Sequence, residues 1–132
     1  APPLDALHIV ASLTPESAPL LNVVVHDSVG STNDVVRQRG QGRSLHGAVV
    51  LAEEQTQGRG RRGRTWHSPA GANLYCSLGW RFERPLQTLS GLSLAIGAMI
   101  AETVEADYGA KLALKWPNDL FYEGRKRGGI LV

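Results

Sequence analysis

Seven consecutive residues, 58–64, read Gly-Arg-Gly-Arg-Arg-Gly-Arg, with Thr65 and Trp66 behind them. Four guanidinium groups and three glycines in so short a span fit neither a helix face nor a strand face. Glycine costs backbone entropy in either element, and like charges repel unless an anion sits among them. The composition fits a loop that closes on a phosphate or a carboxylate, and arginine's planar fork suits both anions. A solvated basic turn is the other reading that composition leaves open. Three further groups accompany the loop: Ser31-Thr32-Asn33 upstream, and Lys115-Trp116-Pro117-Asn118-Asp119 and Lys126-Arg127-Gly128-Gly129-Ile130-Leu131 downstream.

Elements of regular structure must position these groups. Residues 4–13 carry apolar side chains at a rough helical spacing that Thr14-Pro15 ends. Val23-Val24-Val25 predicts a strand over 20–26. Ser31-Thr32-Asn33-Asp34 has the form of a helix start, so a helix should run to about Arg39, followed by a loop over 40–47. The near-continuous apolar run 48–54 predicts a buried strand. Residues 74–82 alternate and predict a strand, with Leu74, Cys76, Leu78, Trp80 and Phe82 on one face and Tyr75, Ser77, Gly79 and Arg81 on the other. Residues 86–108 predict a long helix that Gly109 ends. A strand over 112–116 and a hairpin over 120–132 complete the series, and strands with segregated helices predict an α+β fold.

Composition bounds the function. At 132 residues, 42% hydrophobic and 20% charged, the chain reads as one ordinary soluble globular domain at most. A net charge of +2 does not by itself argue for nucleic acid, since the excess lies in one loop. The lone cysteine, Cys76, fits a reducing cytoplasm and excludes an internal disulfide. The histidines are far apart, so no metal site in the protein is expected. No apolar run is expected to reach the length of a membrane span, and no membrane partner is expected. Ala1-Pro2-Pro3 reads as the end of a linker.

The motifs occur in a particular order: Ser31-Thr32-Asn33; Gln55 with the arginine loop and Trp66; Ser68-Pro69-x-Gly71-x-Asn73-Leu74-Tyr75; residues 115–119; and Lys126-x-Gly128-Gly129-Ile130-Leu131. In that order they resemble the catalytic domain of the biotin protein ligase family, over roughly residues 23–132. The resemblance implies an α+β, class II synthetase-like domain, a mixed β-sheet with helices packed mainly on one face. Residues 1–22 would be a linker and short helix preceding it. It also implies further strands and a small C-terminal domain beyond Val132, so the chain would be the N-terminal part of an incomplete catalytic domain.

The implied reaction activates biotin with ATP and Mg2+ as biotinyl-5′-AMP, then transfers it to a lysine of a biotin carboxyl carrier protein, an acetyl-CoA carboxylase subunit. Arg61 and Lys126 match catalytic positions. Ser31, Thr32, Asn33, Gln55, Gly58, Arg59, Arg61, Lys126 and Gly129 match the biotin site, and the ureido ring needs the donors and acceptors that Ser31, Thr32 and Gln55 carry. Arg61, Arg64, Trp66, Asn118 and Asp119 match the nucleotide site, with Asp119 set to meet Mg2+ or an orienting lysine. Other roles compete with these. Ser31 serves equally as a helix cap, Trp116 is read as a core aromatic, and Asn118-Asp119 suit a plain turn. Gly128-Gly129 suit a bulge, and Arg62 and Arg64 suit solvent. Arg127 stands where the family carries an apolar residue. A homodimer is left open, and DNA binding would need an upstream winged helix-turn-helix. A lipoate or octanoate ligase or transferase of related fold, and a nucleic-acid-binding module using the arginine loop, are the alternative functions.

Overall fold

The β-branched run Val23-Val24-Val25 forms the middle of β1 (Asn22–Val29), and the apolar run beginning at Ala48 forms β2 (Ala48–Gln55). In the computed structural model, which describes residues 2–132, these strands lie parallel, with Val24 beside Val50 and Val25 beside Leu51. A third strand, β3 (Tyr75–Leu78), runs antiparallel to β2 and completes a mixed sheet in the order β1-β2-β3. Parallel neighbours need a crossover; α2 (Thr32–Gly42) supplies it and packs on β2 and β3. Ala48, Val50, Leu51 and Ala52 are buried with Val36 of α2. The core of this unit is therefore one central strand under one helix. α1 (Ala6–Ala11), capped by Asp5, packs on β1, and the Leu4 N–H donates to Glu53 Oε1 at 2.6 Å.

A second compact unit begins at Phe82. Its sheet is antiparallel in the order β4-β5-β6, formed by Ala113–Lys115, Asp119–Tyr122 and Arg125–Gly129. Glu123 and Gly124 join β5 to β6 with φ of 51° and 76°, the pair of left-handed residues that a two-residue hairpin turn requires. α3 (Leu92–Tyr108) packs on β4 and β5 and ends at left-handed Gly109. A methyl group on Gly97 of α3 would lie 3.2 Å from Leu114 and 3.3 Å from Ile130. The missing side chain lets the helix lie close to its sheet.

The chain is thus α+β, as its sequence predicts, and four local expectations are corrected. α2 runs through Gly40 to Gly42 rather than stopping near Arg39; Leu45 folds back against Gly40, so the glycine is a packing site and not a terminator. β3 is shorter than 74–82, and it is the more polar of its two faces that is covered: Tyr75 and Ser77 are buried, while Leu74 and Leu78 are 66% and 56% exposed. The polar face turns inward because its polar atoms are matched. Tyr75 Oη donates to the Pro69 carbonyl at 3.0 Å and accepts from Asn73 Nδ2 at 3.1 Å. Trp116 is 77% exposed and is not a core aromatic. The 23-residue segment Leu86–Tyr108 does reach the length and composition of a membrane span, with an 18-residue window of mean hydropathy 1.3, because a 3₁₀ turn (Leu86–Leu89) precedes α3. Those two properties alone do not set a helix in a membrane, since an apolar helix lying on a sheet shares them.

Candidate active site

Hydroxyl and amide side chains converge where α2 begins. Ser31 caps the helix, its Oγ accepting the Asp34 N–H at 3.0 Å. Pairing between the two chain segments continues past the strands: the Thr56 N–H donates to the Val29 carbonyl at 2.9 Å and the Gln57 N–H to the Gly30 carbonyl at 2.7 Å. This brings Gln55 to the helix start. Gln55 Oε1 accepts from the Thr32 N–H at 2.8 Å and from Thr32 Oγ1 at 3.1 Å, while Gln55 Nε2 donates to Ser68 Oγ at 3.2 Å. Thr32 Oγ1 and Ser77 Oγ share a hydrogen bond of 2.6 Å, and Ser77 Oγ also donates to Asn33 Oδ1. Ser31, Thr32 and Ser68 are each 4% exposed. The result is a buried cluster of neutral donors and acceptors with no buried side-chain polar atom left unmatched among the described residues.

The arginine loop folds back on itself beside this cluster. The Trp66 N–H donates to the Gly58 carbonyl at 2.8 Å, Arg59 bridges to Thr65, and the Gly60 N–H donates to the Arg64 carbonyl at 2.7 Å. A 3₁₀ turn (Arg61–Gly63) forms the tip, with Arg62 and Gly63 at φ of 59° and 70°. Gly58 is required by close approach, since a methyl there would lie 2.5 Å from Ser68 Oγ and 2.8 Å from the Trp66 carbonyl. That crowding comes from the chain itself. Arg59 pairs with Asp34 of α2. Arg61, Arg62 and Arg64 are exposed, whereas Trp66 is half-buried.

In the second unit Lys126 Nζ lies 3.0 Å from Asp119 Oδ1, so the lysine partner expected for Asp119 is present. Asn118 is engaged by the backbone: its Nδ2 donates to the Ile130 carbonyl at 3.0 Å, and its own carbonyl accepts the Ile130 N–H at 2.9 Å. Gly129 faces Asp119 across the ladder. Arg127 is the extra residue of a bulge, because Leu120 pairs with Gly128 and Phe121 with Lys126. Its charge opposes the upward shift that the hydrogen bond donated by the Tyr122 hydroxyl to Glu123, together with the Glu123 charge, imposes on that hydroxyl. Lys115 Nζ sits 5.6 Å from the Phe121 ring. No group of three or more His, Cys, Asp or Glu that could hold a metal occurs among the described residues.

Residues 25–132 match the model of the biotin/lipoate A/B protein ligase family. The chain belongs to that family. It is 43% identical over 129 residues to the bifunctional ligase/repressor BirA of Escherichia coli, covering 98% of this chain and 38% of that protein. It is 38% identical to the biotin–[acetyl-CoA-carboxylase] ligase of Mycobacterium tuberculosis, covering 99% of this chain and 51% of the relative. Among solved structures, the biotin protein ligase of Aquifex aeolicus in complex with biotin and ATP aligns with a TM-score of 0.69 at 33% identity, over 83% of this chain and 45% of that one. This family member therefore spans about two fifths to half the length of these relatives.

Of the sequence-derived residues, the fold brings Ser31, Thr32, Asn33 and Gln55 into one cluster with Gly58 against it. It brings Asn118, Asp119, Lys126 and Gly129 together on the β5–β6 hairpin and its approach. Ser68, Ser77 and Asp34 escape the sequence reading as site residues. Ser77 was hidden by the apolar alternation around it, Ser68 by its place in a Ser-Pro turn. Asp34 bears no signal beyond its place in the helix start.

Proposed function

We propose that this chain is the N-terminal part, residues 23–132 after a linker, of the catalytic domain of an ATP-dependent biotin–protein ligase. The observation that carries the reading is the buried neutral cluster of Thr32, Asn33, Gln55, Ser68 and Ser77 beside an arginine loop. A neutral cyclic urea needs matched donors and acceptors, and its carboxylate tail needs cations a short reach away. The family name covers lipoate as well as biotin ligases; the dithiolane of lipoate and the hydrocarbon of octanoate have no use for such a cluster. The relatives named biotin ligases support the same choice.

In this reading Ser31, Thr32, Asn33 and Gln55 hold the ureido ring with Gly58 against them, and Gly129 serves the same ligand. Arg59 and Arg61 meet the carboxylate. A carboxylate oxygen attacks the α-phosphorus of ATP, the bond to the β,γ-diphosphate breaks, and pyrophosphate leaves with that electron pair. Arg61 and Lys126 stabilise the charge that gathers on the phosphoryl oxygens, and Asp119 holds Lys126 in place. Arg64, Trp66, Asn118 and Asp119 serve the nucleotide. Mg2+ would accompany the ATP phosphates and neutralise their charge, and Asp119 would be the carboxylate to meet it. An acceptor lysine amine, on a biotin carboxyl carrier protein, then attacks the acyl carbon and AMP departs as the amine loses its proton. The setting is cytoplasmic.

Calorimetric titration of the chain with biotin, then ATP, tests the reading. Biotin should bind and lipoate and octanoate should not, and pyrophosphate should appear only when biotin and ATP are both present. Equal binding of lipoate, or salt-sensitive binding of RNA with indifference to biotin, overturns it.

A further inference from the structure

Asp34 stands at the meeting point of the two halves of the candidate biotin site. As the third residue of α2, it has its N–H fixed by Ser31 and directly follows the cluster residues Thr32 and Asn33 in the chain. Oδ1 of Asp34 accepts from Arg59 Nη2 and lies 3.8 Å from Arg37 Nη1. The backbone of Arg59 is set by its bridge to Thr65 and by the tight seat of Gly58. One carboxylate is therefore shared between a cation of the loop and a cation of its own helix.

We propose that Asp34 is an internal competitor for Arg59. A substrate carboxylate and the Asp34 carboxylate are the same kind of acceptor for one guanidinium. Arg59 reaches the ligand by exchanging one for the other, and Arg37 stays behind so that Asp34 is not left alone. The inference rests on the reading of Arg59 as a carboxylate-binding residue. It gives the site a selectivity that the neutral cluster lacks, because only a ligand carrying a carboxylate gains by drawing Arg59 away from Asp34.

The test is the Asp34→Asn variant of the whole chain, titrated with biotin and with biotinamide, its neutral primary amide. Removal of the competitor should tighten biotin by about two- to fivefold, the range of an exposed ion pair, and leave biotinamide unchanged. Arg37→Gln should weaken biotin in the wild-type background and have no effect when Asp34 is already Asn. Weaker biotin binding by Asp34→Asn would make the residue a positioning group and overturn the competition. Equal shifts for both ligands would make it merely structural and overturn it too. Limited trypsin digestion supplies a readout that needs no ligand. Cleavage within 59–64 should rise about two- to fivefold in Asp34→Asn, while cleavage at Arg81 and Arg84 stays constant. If the wild-type chain binds neither ligand, the functional reading fails, and the digestion alone decides whether Asp34 holds the loop; unchanged cleavage there overturns the hold. If wild type binds biotin and Asp34→Asn is indifferent, the competition fails and the functional reading stands.

Discussion

Lys126 and Arg61 carry the same formal charge in different settings. Lys126 is paired with Asp119 at 3.0 Å, whereas Arg61 sits on an exposed 3₁₀ turn. Loss of one donor aimed at developing charge lowers a rate by about 100- to 1000-fold. Arg61→Ala and Lys126→Ala are therefore each expected to slow biotin-dependent pyrophosphate release by that factor while changing biotin affinity little. A variant that shows only an affinity defect would move its residue to ground-state binding. Asp119→Asn should produce a smaller loss, because it frees the lysine without removing it. The candidate residues stand out in sequence because their types are unusual there: four arginines among glycines, Asn-Asp after Trp-Pro. Ser77 does not, since a serine in an alternating strand carries no mark until its partners Thr32 and Asn33 are in place.

Among the elements, the arginine loop stores strain at one position. Arg62 adopts φ of 59°, a conformation that costs a residue with a side chain roughly 1–2 kcal/mol. Glycine escapes that cost but loses roughly 0.5–1 kcal/mol through its freer unfolded chain. Arg62→Gly should therefore be neutral to stabilising by about 1 kcal/mol in thermal or urea melts. Gly58→Ala should destabilise clearly, because its methyl group would press on Ser68 Oγ and the Trp66 carbonyl. Equal effects of the two substitutions would show that the hairpin-like fold of the loop is not what fixes it. Most elements follow from pattern: the valine run of β1, the Ser31 cap of α2, the Gly109 stop of α3. In β3, alternation reports which face is apolar, while partners decide which face is covered. Tyr75 and Ser77 found hydrogen bonds within their unit, and Leu74 and Leu78 are left outside.

Over the whole molecule, large apolar side chains stay in view. Leu74 and Leu78 project from the first unit, and Leu86, Met99, Tyr108 and Trp116 from the second. Apolar side chains left in water favour association where they adjoin one another, and salts excluded from the protein surface strengthen their burial. Sedimentation should show concentration-dependent association that sulfate enhances, and Leu74→Lys with Leu78→Lys should reduce it. A chain that remains monomeric in sulfate at high concentration would show that these side chains do not drive association.

Because Thr32, Asn33, Gln55, Ser68 and Ser77 already satisfy one another, any guest must exchange hydrogen bonds rather than simply add them. The enthalpy of that exchange nearly cancels for a guest whose donors and acceptors match those it displaces. A guest with only hydrocarbon or sulfur returns nothing, and each buried polar group it orphans costs about 1–3 kcal/mol. Two such groups amount to a discrimination of roughly 30-fold or more. In the proposed reading the cluster selects by exclusion, through its intolerance of a mismatched guest rather than through a gain of hydrogen bonds with the right one.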